Sequence, residues 1–241
     1  MAEIVWTPYL EKMRELLSPL DLKEVREIGG EDLSPIMDFR TPKCHGSFKT
    51  YRANKIEKLT LGSLYLDEEG HYGMCTIWPQ GEYELPLYFS NWEEKAKEVL
   101  TLVDFTPTVD LLMNEPYRKK YIDEAISPLW NKFGTLPGIQ PAPYAFVRGM
   151  CSINYTCAVV PVTNEGMRLV ALQPHLEYLK VYLKLLKESE PIIEEKRRWE
   201  VNRKRAALSH NYRKNFTPRV KKSLGVTMGE NMANLLIIML F

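Results

Sequence analysis

The stretch Glu98-Val99-Leu100-Thr101-Leu102-Val103-Asp104-Phe105-Thr106-Pro107 decides how the chain is read. β-Branched and other apolar residues fill it, no glycine interrupts it and Pro107 ends it, which is the pattern of a strand. Three earlier runs share the texture: Lys58-Leu59-Thr60-Leu61, Met74-Cys75-Thr76-Ile77-Trp78 and Leu85-Pro86-Leu87-Tyr88-Phe89. Asp67-Glu68-Glu69-Gly70, Pro79-Gln80-Gly81 and Ser90-Asn91 separate the runs as turns. Strands joined in succession by brief turns pair antiparallel, so residues from Phe48 to about Pro107 are expected to form a meander.

Outward from this block the period changes. Tyr9, Leu10, Met13, Leu16 and Leu17 fall at helical spacing and stop near Pro19. Beyond Pro107, Tyr117 to Phe133 predicts a helix kinked or split at Pro128 and ended by Gly134 and Pro137. Pro141 to Arg148 is expected to be a loop, and Cys151 to Val162 one more strand. Pro174 suits the first turn of a helix whose Leu176, Leu179, Leu183 and Leu186 share a face, running to Pro191. Another helix is expected to about Tyr212, and a last one over Asn231 to Leu240. Helices, then consecutive strands, then helices, without βαβ alternation, predict an α+β fold in one domain over residues 1–241, its antiparallel sheet covered by helices on both faces.

Composition narrows the function classes. The 241 residues are 45% hydrophobic and 26% charged with a net charge of +1, which fits an ordinary folded chain and excludes general disorder. Cys44, Cys75, Cys151 and Cys157 form no CxxC pair, so neither a zinc ribbon nor an iron-sulfur cluster is written here, and they read as thiols of a reducing cytoplasm. No positively charged leader precedes an apolar stretch, and the longest apolar run, Leu235 to Phe241, is too short for a membrane span. Glycine-rich nucleotide loops, HExxH and GxSxG are all absent. The neutral total hides an asymmetry. Between Lys196 and Lys222 eleven Lys or Arg accompany one acid, Glu200, so this stretch carries +10 and the rest of the chain −9. It reads either as a docking surface for an acidic partner or as a solvated helix face.

Few residues carry chemistry. Asp104 shares its parity with Leu100 and Leu102, so a continuing strand points its carboxyl group among leucines, where the neutral form is favoured and a proton donor results. A plain turn-capping aspartate before Pro107 is the alternative. The histidines at 45, 71, 175 and 210 show no metal-ligand spacing. Met74, Trp78, Tyr88 and Phe89 read as core residues or as the lining of a flat pocket for a conjugated ligand.

Trp78-Pro79, then Leu85-Pro86-Leu87-Tyr88-Phe89, then Leu102-Val103-Asp104-Phe105-Thr106-Pro107 resemble the ferredoxin-dependent bilin reductases. The later motifs follow in the same order: Tyr144-Ala145-Phe146-Val147-Arg148, His175 to Tyr182, and Leu224-Gly225 through Phe241. The resemblance implies a three-layer α/β/α sandwich with a central antiparallel sheet, and an open-chain tetrapyrrole, biliverdin or a derived bilin, between the sheet and the C-terminal helices. It implies no flavin, nicotinamide or metal, electrons taken singly from reduced ferredoxin, Asp104 as proton donor and Arg148 as propionate anchor, with Met74, Tyr88, Phe89, Asn215 and Thr217 around the substrate.

The chain departs from the family in three places. Met74 stands where phycocyanobilin-forming members have a catalytic His, Gly62 where they have a Glu, and Thr217 precedes Pro218 where several relatives have Asp before Pro. A two-electron reduction with Asp104 as donor is therefore expected. The alternatives are a reductase of a chlorophyll-catabolite-like tetrapyrrole, a non-catalytic bilin carrier, or a nucleic-acid binder using residues 196–222, for which no base-reading motif accompanies the charge.

Overall fold

The structure, a computed structural model, describes residues 8–66, 70–143 and 145–241; Asp67, Glu68, Glu69 and Tyr144 of the motifs above lie outside them. The chain opens with α1 (Pro8–Leu17), the short strands β1 (Lys23–Val25), β2 (Glu27–Ile28) and β3 (Glu31–Asp32), α2 (Ser34–Met37) and β4 (Phe39–Arg40). The meander follows: β5 (Cys44–Ala53), β6 (Ile56–Leu66), β7 (Gly70–Pro79), β8 (Leu87–Lys95) and β9 (Glu98–Thr106). Next come α3 (Glu115–Tyr117), a π-helical segment Arg118–Ile126, α4 (Ser127–Phe133), α5 (Ala145–Arg148) and β10 (Thr156–Pro161). Helices α6 (Glu165–Glu188), α7 (Glu195–Ser223), α8 (Gly225–Met228) and α9 (Glu230–Leu240) complete it.

One eight-stranded antiparallel sheet runs β1-β5-β6-β7-β8-β9-β10, with β4 on β5. Alternation along each strand sends side chains to two layers. Leu59, Leu61, Cys75, Ile77, Tyr88, Trp92, Val99, Val103 and Phe105 pack under α1, the π-helical segment and α6. Phe48, Leu64, Leu66, Trp78 and Leu87 face the opposite way, under α2 and α7–α9. The result is helix, sheet, helix, as expected. The last carbonyls of α9, which have no partner within the helix, are met by the sheet: Lys58 Nζ donates to Ile238 O at 3.3 Å, Thr60 to Met239 O at 2.6 Å and Trp78 Nε1 to Leu240 O at 2.8 Å.

Several boundaries differ from the expectations. Ser90 and Asn91 lie inside β8, because their turn-forming side chains alternate with Phe89 and Trp92 and the ladder to β7 continues through them. Leu85 and Pro86 precede that strand, and β5, polar at alternate positions, went unpredicted except at Phe48. Gly70 returns the chain at φ 128°, where a Cβ would fall 1.8 Å from Glu94 O, so only glycine fits. The helix expected to start at Pro174 begins nine residues earlier, at Glu165, capped by the Asn164 side chain, which accepts the Met167 N–H at 3.0 Å. Pro174 sits inside it, and the buried stripe is Leu172, His175, Tyr178, Leu179, Tyr182 and Leu186. Likewise α7 passes Tyr212 and contains Pro218. The helix over 117–133 does split ahead of Pro128, and residues 145–148 of the expected loop form one turn of helix. The strand expected over 151–162 is shortened to Thr156–Pro161, and Ser152 ahead of it turns to Asp104 instead of pairing in the sheet.

Candidate active site

The centre of the face under α7 is built by strand register. Thr50 pairs with Thr60, Thr60 with Thr76, Thr76 with Phe89 and Phe89 with Asp104, so one row of side chains crosses five strands and ends at the carboxyl group. Thr60 gives its proton to Met239 O, so the 3.1 Å bond between Thr50 and Thr60 is donated by Thr50. Thr76 Oγ1 is buried with no hydrogen-bond partner among the described residues.

Asp104 is wholly buried. Its Oδ1 accepts the Ser152 hydroxyl at 2.5 Å, and its Oδ2 accepts the Ser152 N–H and the Thr106 hydroxyl, both at 3.0 Å. Burial raises its pKa above the ordinary carboxylate value, against the lowering by these donors. The alternative of a turn cap before Pro107 does not describe this group, which is embedded in the sheet.

Thr106 Oγ1 also lies 3.2 Å from the Tyr212 hydroxyl of α7. Tyr212 stacks on Phe89 (centroids 6.4 Å, 14°) and on Phe241 (4.8 Å, 6°), and Phe216 leans on both Tyr212 and Phe241. Burial pushes the Tyr212 phenol up, so it stays protonated and able to donate. An aromatic stack belonging to α7 and the end of α9 thus covers Asp104. Neither Tyr212 nor Ser152 is singled out by the sequence pattern.

The other expected residues separate. Phe89 and Met74 face this layer, both half-buried. Tyr88 does not: adjacent strand residues point to opposite faces, and Tyr88 is buried under α6, donating to His175 O at 3.1 Å and packing on Phe105 and Tyr182. It is corrected to a core residue of the other layer. Arg148 is exposed on α5, its Nη1 donating to Ala142 O at 2.5 Å, and Ala142 and Val147 pack on Leu102 and Cys157 beside the site. Asn215, which donates to Asn211 O at 2.8 Å, and Thr217 are half-buried on α7, one turn beyond Tyr212.

The departures have a structural counterpart. Gly62 pairs with Met74, and a Cβ on Gly62 would meet Phe48 Cδ1 at 2.3 Å and Ser47 O at 2.5 Å. Phe48 fills the space a glutamate there would need. Among the described residues no three His, Cys, Asp or Glu side chains come together as a metal site, and no helix is long and apolar enough to cross a membrane.

Among solved structures the chain is similar to phytochromobilin synthase from tomato, crystallised in complex with biliverdin. The TM-score is 0.70, over 96% of this chain and 80% of that one. The two folds are alike. Identity is only 16%, so the likeness is one of architecture. No protein-family model and no curated protein matches the chain.

Proposed function

We propose that the chain is a ferredoxin-dependent bilin oxidoreductase of the cytoplasm that reduces biliverdin or a derived bilin by two electrons, with no flavin, nicotinamide or metal of its own. The observation that carries this reading is the Asp104 carboxyl group: buried, hydrogen-bonded to Ser152 and Thr106, and set in a sheet face under a helix whose aromatic side chains stand where a conjugated ligand would lie. That the similar tomato enzyme was crystallised with biliverdin supports the ligand class.

In this reading the bilin enters between the sheet and α7 by displacing Tyr212 and Phe216 from Phe89 and Phe241. Phe89 and Met74 form its bed, Asn215 and Thr217 border it, and Arg148 releases Ala142 O to pair with a propionate, a planar guanidinium being suited to a carboxylate. Reducing one double bond takes two electrons and two protons. Two reduced ferredoxins each give one electron. Asp104 gives one proton to the bilin radical and water supplies the other, while Thr106 and Tyr212 reload the carboxyl group. The exposed basic side chains of α7, Lys196, Arg203, Lys204, Arg213 and Lys214 among them, form the docking surface for an acidic ferredoxin.

Biliverdin titration followed by anaerobic turnover with reduced ferredoxin, with product identification, tests the proposal. The expected result is stoichiometric binding and a two-electron product. Binding without turnover makes the protein a carrier, and no binding removes the reading altogether.

A further inference from the structure

Asp104 is gripped by a residue outside the proton path of Thr106 and Tyr212. Ser152, buried ahead of β10, puts one donor on each oxygen of the carboxyl group: its hydroxyl on Oδ1 at 2.5 Å and its N–H on Oδ2 at 3.0 Å. A single residue that reaches both oxygens fixes the plane of the carboxyl group as well as its place. Both donors favour the carboxylate over the acid, against the burial that favours the acid.

Ser152 is itself held. The Asn154 N–H donates to Ser152 Oγ at 3.2 Å, which occupies a lone pair and leaves the hydroxyl proton for Asp104. Asn154 is tied in turn to the other layer of helices. Its Nδ2 donates to Ser127 Oγ at the start of α4, Ser127 donates to Ile122 O of the π-helical segment at 3.0 Å, and Tyr178 of α6 donates to Asn154 O at 2.7 Å. A chain of hydrogen bonds thus runs from the helices of one layer to the carboxyl group on the opposite face. An acid that gives up its proton leaves an anion, and a buried anion is costly unless donors already meet it.

We propose that Ser152 is the positioning residue of this site: its hydroxyl and N–H hold the two oxygens of the carboxylate that remains on Asp104 when the proton departs. Its part in turnover rests on the function proposed above; its hold on the carboxylate does not.

Carboxyl-carbon NMR of the protein without bilin reads the Asp104 titration, its signal assigned by its loss in Asp104→Asn. The titratable side chains that feel the Asp104 charge are Cys151, Tyr117, Tyr178 and Tyr212, and burial raises all of them, so they stay neutral while it titrates. Ser152→Ala keeps the N–H and removes the hydroxyl, so the Asp104 midpoint is expected to rise by about one to two pH units, the scale of one hydrogen bond to a charged group. Because the donor must hold its proton, the alkaline limb of kcat with biliverdin and reduced ferredoxin should move up with the midpoint. Below that limb kcat should fall by about tenfold, with KM for biliverdin unchanged. Ser152→Thr, which restores a hydroxyl, is expected to return both toward the wild type. Should Ser152→Ala fail to fold, Ser152→Cys, a weak donor of similar size, is expected to shift the midpoint in the same direction by less. An Asp104 midpoint unmoved by loss of the hydroxyl overturns the proposal, as does a raised midpoint that leaves kcat and its pH limb untouched in a protein that turns over biliverdin. A raised midpoint in a protein that binds no biliverdin upholds the hold of Ser152 on the carboxylate and removes the bilin reading.

Discussion

On the face of the sheet under α1 and α6, buried tyrosines are tied to fixed partners: Tyr9 to Ser90 and through it to His175, Tyr178 to Thr156 and the Asn154 carbonyl, Tyr182 to the Pro86 carbonyl. Their rings interlock, with Phe105 edge-on to Tyr178 and Tyr182. On the face under α7 the same strands present a carboxyl group, and a threonine hydroxyl with no hydrogen-bond partner among the described residues, and α7 itself adds the buried Arg205 guanidinium, beside the parallel rings of Tyr212 and Phe241. The hydrogen-bonded, edge-to-face tyrosines make the centre of the first layer rigid, while the side chains of Ser63, Tyr65 and His71 on the same face have no hydrogen-bond partner among the described residues. Under the proposed function, the first layer supplies stability and the second the chemistry.

The largest effect expected on the chemical face is that of Asp104→Asn, which should lower turnover with biliverdin by about 10²- to 10⁴-fold, the range of a lost general acid, while bilin affinity stays near that of the wild type. Steady-state kinetics beside a binding titration checks it. Across the sheet, Phe105→Ala should cost about 3–5 kcal/mol in denaturant unfolding, the range for an aromatic removed from a packed core. Phe89→Ala, half-buried under the stack, should cost less and should alter bilin binding instead. Equal stability losses for the two would break the comparison.

The layers also differ in pH response. Burial lowers the pKa of His71 to about 4 and of His175 to about 3, so both imidazoles stay neutral in the folded chain while the unfolded chain protonates near 6.5. Stability should therefore fall as pH drops from 6.5 toward those values, by roughly 3 kcal/mol through His71 and roughly 5 kcal/mol through His175 at the end of the window. Asp104 acts oppositely: its raised pKa lets the folded chain hold a proton the unfolded chain has lost above 3.8, so its contribution declines as pH rises through the folded pKa. Unfolding midpoints against pH for the wild type, His175→Leu and Asp104→Asn separate the two slopes.

Smaller effects sharpen the picture at the rim. Arg148→Ala should weaken biliverdin by about 1–3 kcal/mol, the scale of a lost charge-assisted hydrogen bond, read by absorbance titration. Least of all, salt should slow turnover more than it weakens bilin binding. Exposed charges of α7 are screened within about 8 Å at physiological ionic strength, whereas a substrate under the helix is shielded.

Periodicity made the meander, the two layers and the parity of Asp104 readable, because alternation is a local property of strands. What escaped depends on contacts remote in sequence. Ser152 reaches Asp104 across 48 positions and Tyr212 reaches Thr106 across 106, which no spacing rule encodes. Thr60 and Thr76 were visible in quoted strands, but only register aligns them with Asp104. Pro174 misled because a proline favours a helix start yet is tolerated inside a long helix held by packing. Tyr88 was placed with Phe89 by adjacency in a motif, where alternation sends the two to opposite layers.

The most direct test of Asp104 as the proton donor is freeze-quench electron paramagnetic resonance on Asp104→Asn mixed anaerobically with biliverdin and reduced ferredoxin. Asparagine keeps the shape and can accept the Ser152 and Thr106 donors at its oxygen, but it releases no proton. The second electron becomes favourable only after protonation, so the variant should take up one electron and accumulate an organic bilin radical, while the wild type passes to the two-electron product. A variant that forms the same product at the wild-type rate with no persistent radical would contradict the assignment.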